Sequence, residues 1–176
     1  MERTKTTYRW PDRPLNVVLV EPKIPPNTGN IARLCAATGS LLHLVEPLGF
    51  TLVDASLRRA GLDYWDSVHM TTYPNLDAFL NQIPVGARLH LLSTRARHPY
   101  TEARFAPGDY LVFGSETEGL PQSLLDRFPK DALNIPILLD HVRSLNLSSC
   151  AAIVVYEALR QIQTRKNNHD IRCGID

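Results

Sequence analysis

The 176-residue chain has few cysteines, no long apolar run and almost no net charge, and each lack removes a class of protein. Its three cysteines, Cys35, Cys150 and Cys173, show no C-x-x-C spacing. An odd, scattered set argues against a disulfide framework and against a zinc cluster, so no metal is expected. Cys35 and Cys150 fall in apolar helical stretches, where a small thiol packs as core. The longest apolar runs, Leu15–Val20 and Ala151–Tyr156, are far short of the ~18 residues a membrane span needs, so no membrane partner is expected. Arg3, Lys5 and Arg9 are followed by no apolar segment, which removes the pattern of a secretory signal and leaves a cytoplasmic protein as the expectation. Nineteen basic against eighteen acidic side chains give +1, no global attraction for a polyanion. No strand-like segment is followed by G-x-G-x-x-G, which excludes a nicotinamide dehydrogenase, and no P-loop lysine is present.

What is present is an alternation of strands and helices. Leu15 opens a β-branched run, LNVVLV, of the kind buried on both faces in parallel sheets. The segment NTGNIARLCAATG follows at helical spacing, with Asn27 placed to cap and Gly39 to stop it. Further strands are expected from Leu41, at 67–71, from Arg88 to Thr94, at DYLVF and at LNIPIL. Helices are expected from Asp54 to near Gly61, from Asn75, at PQSLLDRF with Pro121 in first position, and from Leu147 to Gln163. This pattern predicts an α/β class with a mostly parallel sheet: one domain over residues 15–164, a flexible basic arm at 1–14 and a tail at 165–176. Basic clusters at Arg3–Arg13, at Arg95, Arg97 and His98, and at Arg165 and Lys166 suit one gathered surface patch, or equally well separate solvated charges.

Ligands in such sheets bind beyond the carboxyl ends of strands, which singles out three loops. In EPKIPPNTGNIAR, Gly29 permits close approach, and Arg33 on the following helix offers a bidentate donor suited to phosphate. An ordinary capped helix with a surface arginine explains the same residues. In FGSETEGLP, two glycines flank Glu116 directly after a strand. An acidic loop repels phosphate and favours a cationic or hydroxyl-bearing ligand, although a tight turn alone would suffice. In RSLNLSS, Ser144, Asn146, Ser148 and Ser149 crowd the start of a very apolar helix, and a helix cap accounts for only one or two of them. That helix carries Ala151, Ile153, Val154, Val155, Ala158, Leu159 and Ile162, more apolar circumference than one core face needs. A second subunit against it is therefore expected.

Together the three loops resemble the SPOUT-class RNA 2′-O-methyltransferases. Asn27, Gly29, Asn30 and Arg33 match the family's first motif. Phe113, Gly114, Glu116, Gly119, Leu120 and Pro121 match the second. Ser144, Asn146, Leu147, Ser148, Tyr156 and Glu157 match the third. EPKIPPNTGNIARLCAATG and LRRAGLDYW resemble the small TrmL/YibK type, which lacks an added RNA-binding domain. Two departures are visible: Ser115 stands where relatives often carry proline, and LLDHVRS is one residue longer than usual.

The resemblance implies a SPOUT fold with a C-terminal trefoil knot, against the general rule that chains do not thread. It implies S-adenosyl-L-methionine as cofactor, held through Leu92, Gly114, Ile135 and Ser144. It also implies a homodimer in which Arg33 of one subunit completes the other's site. The substrate it implies is the anticodon arm of tRNA, methylated on the ribose 2′-hydroxyl of cytidine or uridine 34. The alternatives are ribosomal RNA, another tRNA position, or RNA and cofactor binding without catalysis. The expected catalytic set is Arg33, Glu116 and Asn146. Because arginine stays protonated, Arg33 suits positioning of phosphate or ribose, while Glu116 and Asn146 hold the site's shape. Asn27, Asn30 and Tyr156 are expected to support RNA or the interface.

Overall fold

The computed structural model describes residues 10–11, 15–52, 68–138 and 141–173, the side chains of 166–173 excepted. The helix expected from Asp54 to Gly61 and nearly all of the basic arm lie outside these residues. Seven strands form one sheet: β1 (Asn16–Val20), β2 (Leu41–Val45), β3 (Met70–Tyr73), β4 (Leu89–Leu92), β5 (His98–Pro99), β6 (Tyr110–Phe113) and β7 (Ala132–Asn134). They lie in the order β3-β2-β1-β6-β4-β7-β5, and every ladder is parallel. The chain lays β1, β2 and β3 outward on one side, then crosses to build the other half beside β1. This reversal between β1 and β6 opens a crevice at the carboxyl ends of the central strands.

Among the described residues four helices cover the sheet: α1 (Pro25–Thr38), α2 (Leu76–Gln82), α3 (Gln122–Arg127) and α4 (Leu147–Cys173). Strand side chains alternate between two cores. Val17, Leu19, Leu42, Leu44, Leu111 and Phe113 face α1 and α4. Val18, Val20, Val45, Leu91 and Val112 face α2 and α3 through Phe79, Leu124 and Leu125. All five residues of β1 are buried, as its unbroken apolar run requires. No helix among the described residues is long and apolar enough to cross a membrane.

Several boundaries differ from the sequence-based expectation, each for a physical reason. The strand expected at 67–71 is Met70–Tyr73, because pairing of Leu42 with Met70 through Val45 with Tyr73 sets its register on β2. LNIPIL is a strand only as far as Asn134; beyond it, Ile135 and Ile137 turn into a cavity wall. Pro121 precedes α3 as its cap residue, its carbonyl accepting from the Leu124 N–H. The two-residue β5 and the 3₁₀ turn Tyr100–Glu102 carry no pattern long enough to read from sequence. Helix α4 runs to Cys173, past the end expected at Gln163. Its apolar circumference is also largely used within the chain. Ala151, Val154, Val155, Ala158, Leu159 and Ile162 are buried against the sheet and α1, and of the seven residues singled out only Ile153 is exposed. The surplus apolar face inferred from sequence is therefore absent.

Candidate active site

The carboxyl ends of β1, β4, β6 and β7 deliver four loops to one edge of the sheet, around a cavity of about 530 Å³. That volume lies within the ~300–1,000 Å³ typical of small-molecule sites. Leu92, Gly114, Ile135 and Ser144, from three separate loops, all line it, and so do Asn27, Glu116 and Asn146. Arg33, Asn30 and Tyr156 do not line it; all three are exposed on helices α1 and α4.

Helix α1 starts three residues earlier than expected, with Ile24 rather than Asn27 as its cap residue and no side-chain cap. Pro25 and Pro26 have the φ a first turn needs and no N–H to satisfy, so the helix begins at them. Arg33 consequently lies in the third turn, away from the positive end of the helix. The anion at that end comes from 92 residues downstream. The Glu116 carboxylate accepts from the backbone N–H of Lys23 (2.8 Å) and of Ile24 (3.3 Å), and from the Asn27 side-chain amide (2.9 Å). Such an arrangement satisfies orphan donors at the start of the helix.

The relay continues from Asn27. Its side-chain oxygen accepts from the Asn146 amide at 2.9 Å, while Asn146 Oδ1 accepts from the Ser148 N–H (2.9 Å) and hydroxyl (2.7 Å). Asn146 thus caps α4 with one end and grips α1 with the other. Glu116, Asn27 and Asn146 stitch the loops after β1, β6 and β7 together. Both Glu116 oxygens are engaged in this clasp, so the carboxylate acts as a brace.

Two backbone features make the clasp possible. Glu21 adopts a left-handed conformation, φ 51°, sparsely populated for a non-glycine residue, and turns the chain as it leaves β1. At Gly114, an added Cβ would lie 2.0 Å from the backbone carbon of Gly119, so only glycine lets the turn close. Gly119 donates its N–H to the Ser115 carbonyl at 2.9 Å to complete that turn.

Leu92, Phe113, Ile135 and Leu147 give the cavity apolar walls, with Cys150 half-buried among them. Burial pushes the Cys150 thiol up, and its Sγ–H points to the Leu145 carbonyl at 3.8 Å, which describes packing and no nucleophile. Among the described residues no three His, Cys, Asp or Glu side chains converge as a metal site would require. Arg95 and Arg143 also reach the cavity; the sequence marked the first only as part of a basic cluster and gave no signal for its contacts.

The chain is 53% identical over 148 residues to a Burkholderia cenocepacia protein called tRNA (cytidine(34)-2′-O)-methyltransferase, an alignment covering 83% of this chain and 94% of the relative. A Lactococcus lactis protein, called a putative enzyme of the same activity, is 46% identical over 153 residues, 85% of this chain and 90% of its own. A solved structure described by its work on 2-OH methylation of C/U34 on tRNA superposes with a TM-score of 0.81 at 48% identity, covering 85% of this chain and 96% of its own. The model of the SpoU rRNA Methylase family matches residues 14–156, which span the sheet, the loops around the cavity and the first turns of α4. By that match and those identities, this chain belongs to the SpoU methylase family.

Proposed function

We propose that the protein transfers a methyl group from S-adenosyl-L-methionine to the ribose 2′-hydroxyl of nucleotide 34 in tRNA. The observation that carries the reading is the convergence of Leu92, Gly114, Ile135 and Ser144, from three loops, on one cavity beside the Glu116–Asn27–Asn146 clasp. The donor set fits the cofactor: apolar walls suit an adenine ring, and backbone groups of glycine- and serine-containing loops suit its polar rim. Names carried by relatives about half identical over most of both chains supply the substrate.

When bound, the cofactor supplies an already activated methyl group. The remaining task is to hold hydroxyl oxygen, methyl carbon and sulfur in line and let one proton leave. Glu116, Asn27 and Asn146 fix the loops that define this line. Arg33 lies outside its own chain's cavity, which fits the shared site of a homodimer, where it would hold the RNA's phosphate or ribose at the partner's cofactor. The loops after β4, β6 and β7 would then form the knot of the SPOUT fold. A cytoplasmic setting, where tRNA is available, follows from the same reading.

Two measurements test it. Calorimetry should show binding of S-adenosylhomocysteine and none of NADH. Mapping ribose methylation in tRNA from cells lacking the gene should show loss at position 34 alone. Persistence of that modification, or loss at a ribosomal site instead, would overturn the assignment.

A further inference from the structure

The short segment that leaves β4 lines the same cavity through Ser93, Thr94 and Arg95. Within it, the Arg95 backbone N–H donates to the Ser93 hydroxyl at 3.2 Å. The guanidinium then reaches across the cavity's rim. Nη1 donates to Gln122 Oε1 at 2.8 Å, and Nη2 donates to the Leu120 carbonyl. The same nitrogen lies 3.8 Å from where a Cβ on Gly119 would stand, so the side chain lies against the Gly119–Leu120 peptide. One residue on, the Ala96 carbonyl accepts from the Asn134 amide at 2.7 Å. The segment is therefore tied to the loop after β6 through Arg95 and to the end of β7 through Asn134.

Arg95 is exposed, yet its guanidinium is held by two directed hydrogen bonds, the one to Leu120 partly buried. A planar guanidinium satisfies two acceptors in fixed directions, which an ammonium on a flexible stem does not. One of those acceptors is the main-chain carbonyl of Leu120, at the end of a turn whose Leu120 side chain is buried in the core and whose Gly119 N–H bonds back to Ser115. Arg95 adds to that packing a hydrogen bond from the loop after β4 that fixes the direction of the Leu120 carbonyl.

We propose that Arg95 is a positioning residue: it holds the Gly114–Leu120 turn against the β4 loop in the shape that accepts the cofactor. It thereby sets cofactor affinity, while RNA contacts and methyl transfer depend on other side chains. The proposal rests on the cavity being the cofactor site.

The test compares full-length wild type with Arg95→Ala, Arg95→Lys, Gln122→Ala and the double variant Arg95→Ala/Gln122→Ala. Calorimetric Kd for S-adenosylhomocysteine, KM for cofactor and for tRNA, and kcat at saturating cofactor are measured, with unfolding curves for each. Arg95→Ala should raise Kd and cofactor KM by roughly tenfold or more, the effect of losing charge-assisted hydrogen bonds in a binding loop. kcat at saturation and KM for tRNA should stay within about threefold. Arg95→Lys should fall between, and the smaller effect of Gln122→Ala should vanish when Arg95 is already alanine. An unchanged Kd in Arg95→Ala overturns the proposal. So does a rise confined to KM for tRNA, which would make Arg95 an RNA contact. If Arg95→Ala fails to fold, Arg95→Lys and Gln122→Ala decide by the same criteria. Wild type that binds no S-adenosylhomocysteine overturns the cofactor reading first, and the proposal with it.

Discussion

At the scale of single residues, the candidate site is held by side chains that bond to one another and to the starts of two helices. Glu116 accepts three bonds from the start of α1, so Glu116→Ala strands two backbone donors and the Asn27 amide. The expected cost is about 2–4 kcal/mol in urea unfolding, with S-adenosylhomocysteine affinity falling as the clasp opens. Unfolding midpoints equal to wild type would show that the brace carries no load. Gly114→Ala is expected to be as severe, because its Cβ meets main chain that no rotamer change can move. Calorimetry should find cofactor binding lost in that variant, even where circular dichroism shows a folded protein. Sequence marked Glu116 and Gly114 as unusual through their spacing after a strand. It gave no indication that Glu116 serves a helix 92 residues earlier, because that pairing exists only once β1 and β6 lie side by side.

At the scale of elements, the strands were legible because parallel sheets buried on both faces demand continuous apolar runs. Helix starts were less so. Asn27 has the composition of a cap, yet Glu116 supplies the acceptor and leaves Asn27 free to bridge to Asn146. The edge of the sheet holds a second polar arrangement, unrelated to the cavity. His43 on β2 accepts from the Tyr73 hydroxyl at Nδ1 (2.9 Å) and donates from Nε2 to Asn16 Oδ1 (3.0 Å), since Asn16 gives its own amide to the Gly108 carbonyl. Burial lowers this imidazole from 6.5 to about 4. The unfolded chain therefore binds a proton that the folded one refuses between those values, and stability must fall as pH drops through that window. The slope should approach about 1.4 kcal/mol per pH unit, and His43→Gln should flatten it. Parallel slopes for wild type and variant, from urea unfolding between pH 7 and 4.5, would remove His43 as the cause.

At the scale of the whole molecule, one chain assembles the cavity but leaves Arg33 outside it. The surface of α4 offers Ile153 and Tyr156 at 36% and 54% exposure, a modest apolar area beside what the sequence suggested. In the homodimer proposed above, Arg33 would act at the partner's cavity. Arg33→Ala should then abolish methylation with cofactor affinity within a few-fold of wild type, and Ser144→Trp should block the cavity. Mixed chains should recover part of the activity, because one of the two sites in a heterodimer is intact. No recovery, together with a monomer by sedimentation at micromolar concentration, would confine Arg33 to its own chain. Methylation should also weaken as salt rises, since phosphate contacts release counterions.

What the sequence by itself determined is what local chemistry enforces: apolar runs for buried strands, glycine where the chain must turn sharply, and polar clusters at the loops that face a ligand. These choices depend on neighbours a few residues away, so they survive in the linear pattern. Tertiary structure alone decided which loops would meet. Sheet order sets β6 between β1 and β4, with β7 on the far side of β4, and only then do Glu116 reach α1, Asn146 reach Asn27 and Arg95 reach Leu120. Hydrogen bonds between residues 25 to 119 positions apart obey no period and leave no trace in spacing. They form because parallel strands set side by side carry their following loops to one edge of the sheet.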